Sequence, residues 1–257
     1  FSALAILDEL GISRIERVDG CAITRSVVYA PPGEKTMLVG EEAYNMNQQE
    51  PAFVIEEVKR KMGTEETIEV GDRKFSPTEI SAVILKKLIQ GAEEIHGKID
   101  KAVITVPANF GEKARAETMQ AGRLAGIEVE HIVNEPTAAA LHYAMHNDVS
   151  GRVAIFDLGG GTLDVTLAEI EGTEVKVKTS EGVGQLGGRD FDRLILKWVN
   201  RVEKEKNGAD FFKTEEDLVR AMVRAEQTKK TLSKRDKALV NLHVGVKVFS
   251  EVLTREV

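Results

Sequence analysis

The stretch Ile155-Phe-Asp-Leu-Gly-Gly-Gly-Thr-Leu-Asp-Val165 constrains this chain more than any other. An apolar strand runs to Asp157, three glycines follow, and a second alternating strand leaves through Thr162 and Asp164. Gly159, Gly160 and Gly161 reach backbone angles closed to other residues and carry no side chain to hold a ligand off. Such a turn can aim successive N–H groups into one concavity, which suits phosphate oxygens. Asp157, at the strand end, can hold Mg²⁺ through its water shell. Thr162 can hydrogen-bond a phosphate or an attacking water. A glycine-rich hairpin alone need bind nothing; the flanking Asp, Thr and Asp turn the reading toward phosphate. The stretch is neither a P-loop nor a dinucleotide fingerprint, because no Lys-Ser/Thr follows and the turn joins two strands.

The chain around it has 257 residues, enough for about two domains. Lys and Arg total 35 against 42 Asp and Glu, a net charge of -7. That balance disfavours a broad electrostatic nucleic-acid binder. Cys21 is the one cysteine, so no intramolecular disulfide framework exists. No apolar run approaches the roughly 18 residues of a membrane span. Phe1-Ser2 has no basic n-region of a signal peptide.

The first 75 residues read mostly as short strands: Ala3 to Leu7, Arg14 to Val18 and Ser26 to Ala30, with a hairpin through Thr67–Val70 and Arg73–Phe75. Pro51 to Met62 reads as a short helix ending at Gly63. Ser76, Pro77 and Glu79 open a strong helix whose apolar face carries Ile80, Val83, Ile84, Leu88 and Ile95, closed by Gly97. A buried strand over Ala102 to Val106, a helix from Gly111 to Leu124, a strand from Val129 to Val133 and a helix from Pro136 to Met145 follow. That alternation predicts an α/β layered domain with some parallel pairing. Turn formers at Asn147–Gly151 mark a boundary. Beyond it come strands over Arg152–Asp157, Thr162–Ile170 and Glu174–Ser180. A helix with the stripe Phe191, Leu194, Ile195, Trp198, Val199 and Val202 follows, then a helix from Glu215 to Leu232 and a strand from Leu239 to Val248. His142 and His146 lie four apart but have no acidic or Cys partner at zinc spacing. Trp198 is expected in the core.

The glycine stretch resembles the second phosphate loop of the actin and sugar-kinase ATPase superfamily, in wording close to the seventy-kilodalton heat-shock chaperones of DnaK type. Four more stretches, in the family's order, are similar to its motifs. Ile104-Thr-Val-Pro-Ala108 resembles the strand with a switch proline. Ile132-Val-Asn-Glu-Pro-Thr-Ala-Ala-Ala140 resembles its connecting motif. Gly187-Gly-Arg-Asp-Phe-Asp192 resembles the opening of the upper second lobe, and Lys229-Lys-Thr-Leu-Ser233 part of the adenine clamp.

The resemblance implies an actin-like ATPase fold: two ribonuclease-H-like lobes around a nucleotide cleft, incomplete here. Residues 1–147 would form the first lobe, with 1–27 and 77–147 lower and 28–76 upper. Residues 148–257 would form part of the second, with 148–187 lower and 188–257 upper. It implies ATP or ADP with Mg²⁺ as ligands. Lys59 would stabilise charge near the γ-phosphate; taken alone, its basic run reads as a solvated face. Glu135, otherwise a first-turn acid favoured by the helix dipole, would order the attacking water or a metal-bound water. Asp157 would place Mg²⁺. Gly159, Gly160, Gly161, Thr162 and Asp164 would surround the phosphates. Gly187 and Gly188 would form the ribose-side turn, and Glu226, Lys229, Lys230 and Ser233 a wall of the adenine and ribose pocket. Their spacing alone fits a charged solvent face. Pro107 and Arg115 would relay nucleotide state.

Three departures accompany the resemblance: Gln185 where the family often has His, Arg189 where it is usually acidic, and Lys230 where it often has Arg. Lys stacks on a purine less well than Arg. Arg189 brings positive charge to the cleft rim, toward phosphate or into solvent. The implied partners are a J-domain co-chaperone, a nucleotide-exchange factor and unfolded peptide bound by a separate domain, in a cytoplasmic setting without nucleic acid or membrane. The alternative is a non-hydrolysing nucleotide-binding relative acting as exchange factor or regulatory module. A filament-forming actin-like ATPase is a weaker alternative. The family's unit is longer than this chain. A first phosphate turn is therefore expected upstream and a glycine-rich adenine loop downstream, with weak nucleotide binding by this length of chain alone.

Overall fold

A computed structural model describes residues 1–8, 11–172 and 174–256. The order begins β1 (Ala5–Leu7), β2 (Ser13–Ile15), β3 (Val28–Tyr29), β4 (Leu38–Val39), α1 (Glu41–Asn45), β5 (Val54–Ile55), β6 (Ile68–Val70) and β7 (Arg73–Phe75). It continues with α2 (Pro77–His96), β8 (Lys101–Val106), α3 (Glu112–Ala125), β9 (Glu128–Asn134) and α4 (Glu135–His146). The remainder is β10 (Gly151–Leu158), β11 (Leu163–Glu171), β12 (Glu174–Val183), α5 (Gly188–Asn207), α6 (Glu215–Leu232), β13 (Lys237–Val244) and β14 (Lys247–Thr254). Among the described residues the sheets are small. Only β8 and β9 pair parallel, and their connection is α3, the βαβ unit that the alternation of elements predicts.

Local chemistry explains the helices that the sequence places well. At α2, the Ser76 hydroxyl accepts from the Glu79 amide, and the Glu79 carboxylate accepts from the Ser76 amide at 2.8 Å. This reciprocal box satisfies two of the donors a helix start leaves open. Pro77 occupies the first turn, and Gly97 ends the helix at φ +75°. Thr214 and Asp217 make the same arrangement at α6.

Two elements differ from expectation. The segment 51–62 is not one helix. Val54 and Ile55 are β-branched and pair with Tyr29 and Val28, so the sheet takes them, and short 3-10 turns at Pro51–Phe53 and Val58–Lys61 flank them. Glu57 carries the change of direction at φ +57°. The stretch 239–248 is likewise two strands. Gly245, at φ +58°, turns the chain, and β13 and β14 form a hairpin from Lys237↔Thr254 to Val244↔Lys247.

Among the described residues, two buried apolar clusters are the largest. One joins β3, β4, β5, β6 and the start of α2 through Val28, Ile55, Val70, Ile80 and Ile84. The other joins α5, α6, β13 and β14 through Leu196, Val199, Phe211, Met222 and Phe249. Trp198 packs edge-on against Phe249, with ring centroids 5.6 Å apart, and is only partly buried. The stripe on α5 is narrower than its spacing suggests, because Phe191 and Leu194 face outward. Ile95 is also exposed on α2. The strand over 102–106 is buried only at Val106; Val103 is exposed.

Gly122 in α3 marks the closest helix-to-strand approach in the βαβ unit. A Cβ there would overlap Val129 Cγ2 on β9. Gly122→Ala should therefore destabilise the protein by about 1–2 kcal/mol, overpacking outweighing the helix-propensity gain of roughly 1 kcal/mol. Denaturant unfolding checks this; an increase in stability would show that the contact relaxes freely.

Candidate phosphate-binding site

The glycine turn links β10 to β11, with Asp157 and Asp164 directly opposite one another across the hairpin. Opposed residues share a sheet face, so both carboxylates project from one side. Gly159 N–H donates to the Thr162 carbonyl at 2.9 Å and closes the turn. The three glycine carbonyls all accept bonds from outside the hairpin. Gly159 O accepts from Gly188 N–H and Gly160 O from Arg189 N–H, each at 3.0 Å, and Gly161 O accepts from Arg60 Nε at 2.9 Å. A trans peptide points its N–H opposite to its C=O. The bonds that hold these carbonyls therefore turn the N–H groups of Gly160, Gly161 and Thr162 to the other side. None of the three has an acceptor among the described residues. Consecutive free amides of this kind form an anion-binding concavity.

The start of α5 supplies two of those anchors because Gly187 lets it come close. A Cβ on Gly187 would fall 2.5 Å from the Gly160 carbonyl carbon. Asp190 fixes this helix start by accepting from Gly187 N–H at 2.8 Å, and it pairs with Arg60 at 2.6 Å.

Charged groups converge beside the turn. Lys59 Nζ meets Glu135 Oε1 at 2.7 Å, joining residues 76 apart in the chain. Asp164 is 1% exposed, and neither of its carboxylate oxygens has a hydrogen-bond partner among the described residues. Burial raises its pKa above the ordinary value. The negative charges of Asp157 and Glu135 push it the same way, and Lys59 opposes them. A buried carboxylate without partners is costly, and its orphaned oxygens suit the water shell of a divalent cation. No group of three His, Cys, Asp or Glu among the described residues is placed to ligate a metal directly. The carboxylates of Asp157, Asp164 and Glu135 are of the type that can hold a hydrated Mg²⁺ through its waters. The His142 and His146 rings lie 4.3 Å apart, tilted by 40°, and no third metal ligand joins them among the described residues.

The α6 residues do not form a bare solvent face. Glu226 is mostly buried; it pairs with Arg25 at 2.9 Å and with Lys230 at 2.9 Å, and accepts from the Tyr44 hydroxyl at 2.9 Å. Burial would raise its pKa, but the bonds from Lys230 and Arg25 outweigh that and hold it down to about 2. Lys229 donates to the Gly188 carbonyl and pairs with Asp192 at 2.7 Å, which ties α6 to the start of α5. Ser233 Oγ donates to the Lys229 carbonyl. Gln185 is exposed in the turn before α5. The Arg189 guanidinium turns to two acids instead of standing free in solvent: it pairs with Glu56 and lies 3.6 Å from Glu57. Pro107 is fully buried. Arg115 donates to the carbonyls of Ala108 and Phe110 and to Asn134 Oδ1 at 2.6 Å, linking the loop after Pro107 to the residue before Glu135.

Arg25, Tyr44, Glu56, Arg60 and Asp192 escape a reading of the sequence, since each acts on a partner far along the chain. Arg60 sits inside the basic run that contains Lys59, which offers a weak signal. A separate polar hollow of about 630 Å³ between α6 and β13, lined by Arg224, Asn241 and His243 among others, shares no residue with the turn.

The family model described as Hsp70 protein matches residues 65–255. The chain is 42% identical over 233 residues, 89% of its length, to the Chaperone protein DnaK of Thermotoga neapolitana. It is 40% identical over 243 residues, 94% of its length, to the Chaperone protein DnaK of Halobacterium salinarum. It spans 38% of the length of each. The chain belongs to the Hsp70 protein family, which places it in the actin-like ATPase fold class. No helix among the described residues is long and apolar enough to cross a membrane.

The Glu226 cluster gives a pH prediction. Its folded-state pKa lies below the ordinary 4.5, so its contribution is present above about 4.5 and is lost as pH falls toward about 2. Glu226→Gln should cost about 2 kcal/mol at neutral pH, through the charged hydrogen bonds it loses, and should flatten the decline in stability between pH 4.5 and 2. Denaturant titrations across that range would show unchanged steepness if the cluster were unimportant.

Proposed function

We propose that this chain is the ATP-binding and ATP-hydrolysing part of a molecular chaperone of its family, Mg²⁺-dependent, with nucleotide state controlling peptide binding by a separate domain. The observation that carries the reading is the set of three free amides at Gly160, Gly161 and Thr162 beside a buried, unpartnered Asp164 and the Lys59–Glu135 pair. Anion donors, carboxylates suited to a hydrated cation and a held lysine are what phosphoryl transfer to water requires.

In this reading residues 1–147 and 148–257 belong to two lobes that flank the nucleotide. The amides of the Gly159–Thr162 turn bind phosphate oxygens, and Lys59 offsets charge on the transferred group. Glu135 and Thr162 orient the water whose oxygen bonds to the γ-phosphorus as the bridge to ADP breaks. Asp157, Asp164 and Glu135 would hold the waters of a Mg²⁺ ion, which when bound would supply charge neutralisation at the phosphates. Gly187, Gly188, Glu226, Lys229, Lys230 and Ser233 line the ribose and adenine side. Lys229 and Glu226 already serve internal pairs, so they shape that wall more than they reach from it. Pro107 and Arg115, joined to Glu135 through Asn134, form the relay toward a J-domain co-chaperone. The same reading brings in a nucleotide-exchange factor and unfolded peptide as partners, in the cytoplasm. Retention of Lys59, Glu135, Asp157, Thr162 and Asp164 favours hydrolysis over a regulatory, non-hydrolysing role.

Single-turnover ATP hydrolysis by the full-length protein tests this. Lys59→Ala should lower the rate about 100-fold, the order seen when one preorganised charge-stabilising donor is removed. A rate equal to that of the unsubstituted protein would overturn the catalytic reading.

A further inference from the structure

Of the three glycine carbonyls, two are held by backbone amides of α5 and one by a side chain. That side chain is Arg60, and each of its three guanidinium nitrogens meets an oxygen. Nε donates to Gly161 O at 2.9 Å, one terminal nitrogen pairs with Asp190 at 2.6 Å, and the other pairs with Glu57 at 2.8 Å. The side chain is 12% exposed. Arg60 also follows Lys59 directly on one 3-10 turn. Two adjacent residues of that turn thus reach the two halves of the site: Lys59 goes to Glu135 at the start of α4, and Arg60 to the glycine turn.

We infer that Arg60 is a positioning residue for the glycine turn, aiming the Thr162 amide and hydroxyl through the Gly161 peptide. The peptide that carries Gly161 O carries Thr162 N–H on its opposite edge. Holding the oxygen therefore fixes where that N–H points and where the Thr162 side chain begins. Glycine at 161 leaves this peptide free to rotate, so the orientation has to come from outside the hairpin. A planar fork with five donors can serve a carbonyl and two carboxylates at once. A lysine offers one ammonium on a flexible stem and cannot hold all three in fixed directions.

The inference rests on the hydrolytic reading and adds a specific division of labour. The Gly160 and Gly161 amides are set by α5 and stay aimed without Arg60, so ATP still binds. The Thr162 end, which orients the attacking water, loses its aim. The effect therefore falls on the rate with nucleotide bound more than on the concentration needed to bind it.

The test uses the full-length protein and single-turnover hydrolysis across ATP concentrations. Arg60→Ala and Arg60→Lys should each lower the saturated rate at least tenfold and move the half-saturating ATP concentration less than threefold. Arg193→Ala is the control. Arg193 pairs with the same Glu57 and Asp190 but, among the described residues, has no hydrogen bond or ion pair to the turn, and its loss should change the rate less than twofold. Should Arg60→Ala fail to fold, Arg60→Lys decides. A saturated rate for Arg60→Lys within twofold of the unsubstituted protein would overturn the inference. So would an Arg193→Ala loss as large as that of Arg60→Lys, or a loss confined to half-saturation. Lys59→Ala separates the two readings: if it lowers the rate and Arg60→Lys does not, positioning fails and hydrolysis stands. If the unsubstituted protein hydrolyses no ATP, both fail.

Discussion

Everything at the glycine turn depends on its carbonyls being held from outside. Three glycines in a row have little intrinsic preference, and a free turn of that composition would sample many orientations. Bonds from Gly188, Arg189 and Arg60 remove that freedom. They do so on the side away from the open amides, so the donors are organised without being used. The cost of ordering the turn is met on folding, before any anion arrives, which is the physical meaning of a preorganised site.

Those anchors come from parts of the chain far apart. Arg60 lies more than ninety residues before the turn and α5 starts about thirty residues after it. Each needs its own support: Asp190 caps α5 and receives Arg60, and Lys229 of α6 braces the Gly188 carbonyl and Asp192. Arg189 shows how a departure from family wording is absorbed. A positive charge where an acid is usual finds Glu56 and Glu57 opposite it. Glu56 pays for its burial with a raised pKa that Arg189 and Asn47 only partly offset.

Much of the local architecture was legible because its causes are local. Ser76 and Glu79 announce α2 through side chains that bond their own first turn; the matching box of Thr214 and Asp217 at α6 came to light only in the structure. The hairpin around Gly159–Gly161 follows from alternation on both sides of the glycines. Val54 and Ile55 were not legible as a strand, since Pro51 and the run of Glu and Lys around them suit a helix and only pairing with β3 decides otherwise. Glu226 reads as part of a solvent face at helical spacing. It is mostly buried because Arg25 and Tyr44, some two hundred residues away, fold against it.

The amino-acid order alone determined that a triple-glycine turn joins two strands, which carboxylates flank it, and which family the surrounding motifs resemble. Short-range spacing carries all of that. Tertiary structure alone decided that Lys59 meets Glu135, that Asp164 is buried without hydrogen-bond partners among the described residues, and that Arg60 holds the third glycine of the turn. Those pairings depend on where distant elements stop in space, and ionic and hydrogen-bond partners separated by a hundred residues leave no periodic trace in the sequence between them.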